Sequence, residues 1–204
     1  MPDLGTLAAF IVAVSMLMLA PGPNVAVIAA TGAVHGRRAA LQVVLGATAA
    51  QGLQIALVVL GLAALLATYT WAHAVLKWAG VAYLVWLGLK AVLAKSEPLD
   101  GAALAPTRLW LRGAATALGN PKTLAFHAAF LPLFVNPAAP GGPQLALLGA
   151  LYLLIALIVD GGYALLAGAL KPVLSRPVWR ARVSRTSGFT LLGVAGWLAT
   201  QRAN

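Results

Sequence analysis

The stretch MLMLAPGPNVAVIAA, residues 16–30, places two prolines and a glycine in the middle of a long apolar segment. Pro21, Gly22 and Pro23 fall where an apolar helix would otherwise continue without a break. A proline inside a helix removes a backbone donor and clashes with the preceding turn, at a cost of roughly 3 kcal/mol. Asn24 follows directly. The pattern predicts a helix that is broken near its centre and carries a polar side chain at the break.

The composition places the whole chain in a lipid bilayer. Of its 204 residues, 61% are hydrophobic and only 9% are charged, and the mean hydropathy is +0.90. A soluble domain carries about a quarter charged residues. The net charge of +10 would favour nucleic acid in a soluble chain, but the basic residues stand in short runs between apolar stretches. That distribution follows the positive-inside rule, so no nucleic-acid partner is expected.

The chain is predicted to be an all-α integral membrane protein with six transmembrane helices. A spanning helix needs roughly 20 mostly apolar residues. The first apolar run lacks the basic start of a signal peptide and is expected to be an uncleaved span. The predicted spans are Leu4–Val34, Ala39–Ala67, Trp71–Ala94, Arg108–Val135, Gln144–Leu170 and Ser184–Gln201.

The basic residues predict the orientation of these spans. They cluster in every second connection, which predicts a cytoplasmic location for those connections and a periplasmic one for both termini. Lys77 and Arg202 are the exceptions, one close enough to a span end to snorkel and one at the terminus. The basic connections contain Arg37 and Arg38; Lys90, Lys95, Arg108 and Arg112; and Lys171, Arg176, Arg180, Arg182 and Arg185.

We expect one domain, residues 1–204, built from two halves of three spans. The connection 96–107 contains two prolines and a glycine, and it separates residues 1–95 from residues 108–204. Because three is an odd number, the halves would have opposite topology in the membrane, as in an inverted repeat. Seven glycines are expected to permit close helix packing, which is compatible with a homodimer: Gly46, Gly61, Gly80, Gly88, Gly188, Gly193 and Gly196.

The second half has its own interrupted helix. ALGNPKTLAF places Gly119, Asn120, Pro121 and Lys122 inside the fourth span. Paired Gly/Pro-interrupted spans point to a transporter's binding site, because the resumed half-helix aims free N–H groups at an anion such as a carboxylate. The alternative is a pair of proline kinks that only shape packing. Two matched breaks, each with an asparagine, favour a substrate site.

Asp160 is the only acidic residue inside a predicted span. A buried charge at the bilayer centre is costly and needs a partner, and Lys122 lies at a similar predicted depth. One interpretation is an Asp160–Lys122 ion pair that fixes the bundle. The other, which we favour, is that Asp160 takes up and releases a proton or holds a substrate amino group. Asn24 and Gln51 are predicted to lie near the same depth.

Other polar residues in the spans have two interpretations each. Gln51 and Gln54 either bind substrate or join helices. His127 is expected to form an interhelical hydrogen bond rather than relay protons. Tyr163 either caps the site or lies at the membrane interface. Motifs of hydrolases, metalloproteases and nucleotide-binding loops are absent from the sequence, and no cofactor, metal site or enzymatic activity is expected. A channel or a membrane scaffold remains as an alternative.

Three segments resemble the LysE/RhtB superfamily of amino-acid exporters, and the second and third resemble its homoserine/threonine branch. They are APGPNVAVI, VLKWAGVAYLVWLGLKA and GNPKTLAFHAAFLPLF, and the similarity covers nearly the whole chain. The resemblance implies a multi-pass protein of the bacterial inner membrane that expels amino acids using the proton gradient. It also implies functional positions, namely Pro21, Gly22, Pro23, Asn24, Asn120, Pro121, Lys122 and Asp160.

The chain departs from the superfamily in its second span. Many members carry an acidic residue around the position of Gln51, and others carry a histidine near Gln54. The absence of a carboxylate there favours small neutral substrates, such as threonine, homoserine or an analogue, over cationic ones. It also leaves Asp160 as the sole carboxylate for proton coupling. The superfamily also includes exporters of other solutes, so an exporter of a different small solute is the alternative.

Overall fold

The computed structural model describes residues 2–19, 22–69, 71–93, 108–136, 138–174 and 176–200. All regular structure in these ranges is helical, which confirms the predicted all-α class. The described residues form eight α-helices and one 3₁₀ turn: α1 (Leu4–Leu19), α2 (Pro23–His35), α3 (Arg37–Thr68), α4 (Trp71–Leu93), α5 (Leu109–Leu118), α6 (Pro121–Phe130), the 3₁₀ turn (Leu131–Phe134), α7 (Gly141–Leu174) and α8 (Pro177–Thr200).

Two described stretches are long and apolar enough to cross a membrane, Arg37–Leu62 in α3 and Gly141–Ala167 in α7. The bent pair of α1 and α2, whose axes differ by 54°, makes a third if it counts as one span. Six spans and their inverted arrangement stay predictions. The expected connection 96–107 lies outside the described residues.

The end of the chain is more helical than expected. α7 continues to Leu174 rather than Leu170, and α8 begins at Pro177 rather than Ser184. Hydropathy marks the apolar part of a helix and not its ends. Arginine has a high helix propensity, so a helix can continue into a basic segment beyond the apolar core. The expected basic connection between the last two spans is therefore mostly helix.

Asp3 caps the start of α1. Its carboxylate accepts hydrogen bonds from the backbone N–H of Thr6 over 2.9 Å and from the Thr6 hydroxyl over 2.7 Å. The backbone bond, followed by the hydroxyl bond, holds the pKa of Asp3 below its usual value. This exposed carboxylate therefore caps the start of α1 and lies apart from the buried Asp160.

α3 and α5 are in backbone contact. A methyl group at Gly46 of α3 would overlap the carbonyl group of Trp110 in α5, and one at Gly113 of α5 would overlap the carbonyl group of Val43 in α3. Small residues let membrane helices approach closely. This contact brings α5, and the chain break that follows it, against the middle of α3.

α4 and α8 also pack through glycines. A methyl group at Gly188 would lie 2.7 Å from the carbonyl oxygen of Gly88. The packing role is therefore confirmed for Gly46, Gly88 and Gly188, and Gly80 is buried as well. It is wrong within the described residues for three glycines that have no atom within 4 Å of an added methyl group: Gly61, Gly193 and Gly196.

An aromatic cluster joins α1, α6, the 3₁₀ turn and α7. Phe126 and Phe130 stack with ring centroids 4.1 Å apart, and Phe10 meets Phe134 edge-on at 5.2 Å. Tyr152 of α7 lies 5.9 Å from Phe126. All five side chains are buried. The cluster fixes α1 and α6, the helices that flank the two breaks, against α7.

Gln144 organises the turn before α7. Its Oε1 accepts a hydrogen bond from the backbone N–H of Asn136, and its Nε2 donates to the carbonyl oxygens of Asn136, Ala139 and Pro140 at 3.0–3.1 Å. The side chain is 1% exposed. One glutamine thereby satisfies backbone groups that a loop between two apolar segments would leave without partners.

Candidate functional site

The first break lies between α1 and α2. α1 ends at Leu19, and α2 begins at Pro23 with the extended residue Gly22 as its N-cap (φ −137°, ψ −172°). A proline suits this first helical position because its missing N–H would have no partner there. The backbone N–H of Ala26 donates to Gly22 over 2.9 Å and closes the first turn. Asn24 lies in that turn.

The second break lies between α5 and α6. α5 ends at Leu118, Gly119 and Asn120 link the helices, and α6 begins at Pro121. The backbone N–H of Thr123 donates to the Asn120 carbonyl over 3.0 Å. The predicted interruption of the fourth segment is confirmed. Each break thus has a proline at the first position of the resumed helix and an asparagine beside it.

A cavity of about 50 Å³ lies between the two breaks. Leu17, Met18 and Val25 give it an apolar side. Its polar residues come from α2, α3, the α5–α6 link, α6 and α7: Asn24, Gln51, Asn120, Thr123, Tyr152 and Asp160. Residues distant in the sequence therefore meet at one point where both broken helices end.

Six of the predicted site residues line this cavity: Gly22, Pro23, Asn24, Gln51, Asn120 and Asp160. Pro21 lies outside the described residues. The backbone of Pro121 and Lys122 belongs to α6, but their side chains lie outside the described part of the chain. The Asp160–Lys122 ion pair therefore stays a prediction.

Three oxygen atoms of the cavity residues have no hydrogen-bond partner within the described part of the chain. They are Oδ1 of Asn24, Oε1 of Gln51 and Oδ2 of Asp160. The side chains of Gln51 and Asp160 are only 1% and 2% exposed. A buried polar group without a partner costs about 1–3 kcal/mol. The cavity is therefore poised to accept hydrogen bonds from a donor that enters it.

Gln54 and Tyr163 lie at the breaks, and neither is among the residues lining the cavity. Nε2 of Gln54 donates to the carbonyl oxygen of Ala117 in α5 over 3.2 Å. The hydroxyl of Tyr163 donates to the carbonyl oxygen of Leu19 in α1 over 2.9 Å. For Gln54 the geometry matches the helix-joining interpretation. Tyr163 joins α7 to the end of α1.

The hydrogen bond expected for His127 is absent among the described residues. The ring is fully buried, and neither Nδ1 nor Nε2 has a partner there. It packs edge-on against Tyr152 with centroids 4.5 Å apart. The expectation was wrong because aromatic contacts rather than a polar partner surround the ring.

The sequence reasoning missed two polar cavity residues, Thr123 and Tyr152, and the apolar residues Leu17, Met18 and Val25. Thr123 lies in the first turn of α6, one helical turn after Asn120, so the second break could have indicated it. Tyr152 lies about two turns before Asp160 on α7, where a tyrosine stands among aliphatic residues. No group of three or more metal-ligating side chains occurs in the described ranges.

A polar cavity between two broken helices of an apolar bundle is typical of membrane transporters. The sequence model of the LysE type translocators matches residues 15–202, nearly the full length. The chain belongs to this family.

Named relatives agree with this assignment. A homoserine/homoserine lactone efflux protein of Salmonella typhimurium is 32% identical, with 95% of this chain and 96% of the relative covered. An uncharacterized membrane protein of Vibrio cholerae is 30% identical over 98% and 100% of the two chains. A threonine efflux protein of Salmonella typhi is 28% identical over 58% and 61%. No solved structure matches the chain.

Proposed function

We propose that this protein exports small neutral amino acids across the bacterial inner membrane in exchange for protons. The observation that carries the proposal is the convergence of Asn24, Gln51 and Asp160 on one cavity, each with an acceptor oxygen that has no partner among the described residues. Family membership and the names of the relatives support an amino-acid substrate.

The acceptor oxygens suit the amino group of the substrate. An ammonium group has three N–H donors, and the cavity presents three acceptors from α2, α3 and α7. Hydrogen bonds with a charged partner are roughly twice as strong as neutral ones. Of the three side chains only Asp160 ionises, so an amino acid with a neutral side chain needs no second carboxylate.

The substrate carboxylate has a complementary place at the breaks. The first backbone N–H groups of a helix have no partner inside it, and the helix N-terminus carries a positive partial charge. Gly22, Pro23, Asn24 and Val25 at the start of α2 line the cavity. A substrate carboxylate is favoured there, while the acceptor oxygens of the cavity face the amino group.

The size of the cavity favours a small solute. About 50 Å³ holds a few water molecules, since one needs about 10–15 Å³ on this measure. A side chain such as that of threonine requires less expansion of the apolar wall at Leu17, Met18 and Val25 than an aromatic one. The preference for small amino acids follows.

The mechanism is alternating access between two inverted halves of a single domain, with both termini in the periplasm. The packing pattern supports this: α3 packs against α5 and α6, and α7 packs against α1 and α2. The second span of each half thus contacts the broken span of the other. Rocking of one half against the other exposes the cavity to each side in turn.

Asp160 couples export to the proton gradient. Among the described residues that line the cavity, it is the only acidic one. Deprotonated, it binds the ammonium group; protonation from the periplasmic side weakens that interaction and releases the substrate. The proton then leaves to the cytoplasm before the next substrate binds.

The proposal is tested in liposomes with threonine and homoserine, with and without a proton gradient. Asp160→Asn is expected to lose gradient-driven transport, and its counterflow should weaken, because the amide resembles the protonated carboxyl group that releases the substrate. Asp3→Asn, the same change at the exposed start of α1, is the matched control and is expected to behave as wild type. Flux that does not saturate and ignores the gradient would indicate a channel. Gradient-driven transport in Asp160→Asn would reject the coupling role.

A further inference from the structure

The last carbonyl groups of a helix have no backbone donor inside that helix. In an α-helix the carbonyl of residue i accepts from the N–H of residue i+4. Leu19 and Ala117 lie in the last turns of α1 and α5, and the residues four positions further on are Pro23 and Pro121, which have no N–H. Neither carbonyl group can therefore accept the regular helical hydrogen bond. In lipid such a group must find a partner elsewhere.

The structure supplies a side-chain donor to both of these carbonyl groups. Tyr163 donates to Leu19 over 2.9 Å, and Gln54 donates to Ala117 over 3.2 Å. The Ala117 carbonyl also receives the backbone N–H of Asn120 at 3.3 Å, a length at the upper limit for such a bond. Both side-chain donors come from another helix.

The donors occupy equivalent places relative to the cavity. Gln54 follows the cavity residue Gln51 by three residues on α3, and Tyr163 follows the cavity residue Asp160 by three residues on α7. Residues three apart are neighbours on one helix face. On α3 and on α7, one polar residue therefore lines the cavity, and the polar residue three positions later donates a hydrogen bond to a broken helix.

We propose that Gln54 and Tyr163 are paired positioning residues. Each donates to a carbonyl group that lacks the regular helical hydrogen bond at the end of a half-helix, and each thereby holds that end beside the cavity. This role rests on the proposed function in taking the cavity as the transport site and the two halves as inverted. The donors act through the helix ends and do not contact the substrate.

The two donors hold opposite sides of the transporter. With inverted halves, α1 approaches the cavity from one face of the membrane and α5 approaches it from the other. Removal of the Tyr163 hydroxyl loosens α1, and removal of the Gln54 amide loosens α5. The two variants therefore shift the accessibility of the cavity in opposite directions.

The first test is the unfolding temperature of the purified protein. Tyr163→Phe and Gln54→Met are each expected to lower it by about 2–4 °C, because each change leaves one carbonyl group at a helix end without its side-chain donor. Gln42→Met, at an exposed position of α3, should leave it unchanged. Unfolding temperatures of Tyr163→Phe and Gln54→Met equal to that of wild type would overturn the proposal.

The second test measures accessibility, which a purely stabilising contact would not change in opposite directions. The natural chain contains no cysteine, so Met18→Cys at the cavity gives a single labelling site. A membrane-impermeant thiol reagent is applied to right-side-out and inside-out vesicles. Tyr163→Phe and Gln54→Met should change the ratio of the two labelling rates in opposite senses. Gln42→Met, exposed on α3, is the control.

The outcomes separate this inference from the proposed function. Changes of the ratio in the same sense, or no change, would overturn the positioning role even if amino acids are transported. Unfolding temperatures and a labelling pattern as expected, in a protein that moves no amino acid, would support the positioning role and reject the proposed function.

Discussion

Gly46 of α3 and Trp110 of α5 meet backbone to backbone, with no room for a side-chain carbon between them. Because α5 leads directly into the second break, this contact sets the distance between that break and Gln51, which lies further along α3. The same helix carries a glycine without such a neighbour, Gly61, so the effect of the contact can be isolated.

Gly46→Ala is expected to destabilise the protein. Overpacking costs about 1–3 kcal/mol, more than the roughly 0.5–1 kcal/mol that alanine adds to helix stability. At about 2–4 °C per kcal/mol for a chain of this size, the unfolding temperature in detergent should fall measurably. Gly61→Ala, where an added methyl group meets no described atom within 4 Å, should leave it unchanged or raise it. Equal effects of the two changes would contradict the close packing.

Gln51→Glu is expected to shift the substrate preference toward cationic amino acids. The change adds a second carboxylate to the cavity, and a hydrogen bond to a charged group contributes about 1.5–3 kcal/mol. The ratio of lysine to threonine transport in liposomes should rise about tenfold or more. The same substitution at Gln42, on the exposed face of α3, should leave the ratio unaltered. An unaltered ratio in Gln51→Glu would remove Gln51 from the substrate site.

His127→Phe is expected to preserve or raise stability. The change removes two buried ring nitrogens that lack partners in the described structure and retains the contacts with Tyr152 and Phe126. His127→Ala should instead lower the unfolding temperature, because truncation of a buried ring leaves a cavity. Gradient-driven transport by His127→Phe should equal that of wild type. Its loss, in folded protein, would assign a proton relay to His127.

Gln144→Leu is expected to destabilise the turn before α7. The change leaves the backbone groups of Asn136, Ala139 and Pro140 without the partners that the glutamine provides, at about 1–3 kcal/mol for each group that stays unpaired. Hydrogen exchange of residues 136–144 should accelerate. Gln42→Leu is the control at an exposed position. Wild-type exchange in Gln144→Leu would show that water satisfies these groups.

The sequence predicted which residues belong to the site better than it predicted how those residues contact one another. Proline chemistry is local, so Pro23 and Pro121 indicated both interruptions directly. Charge inside an apolar run is equally visible, and Asp160 was found in this way. The helical ends near residues 171–184 were misplaced because hydropathy measures apolarity, whereas helix propensity carries α7 and α8 into the basic segment.

Which side chains meet between two helices depends on how far each helix is rotated about its own axis. An all-apolar sequence specifies that rotation only weakly. The environment of His127, the donor role of Gln54 and the cavity contribution of Tyr152 all depend on that rotation. Glycine spacing had the same ambiguity, since Gly46 lies at a helix contact and Gly61 does not. Packing distinguishes these positions, and the linear pattern does not.

The single carboxylate of the cavity has an electrical consequence. If Asp160 exchanges one proton for one zwitterionic amino acid, each cycle carries one net positive charge into the cell. A membrane potential contributes about 2.3 kcal/mol per elementary charge for every 100 mV. Export would then be driven by voltage as well as by the pH difference, and it would continue in a cell whose cytoplasm and surroundings have the same pH.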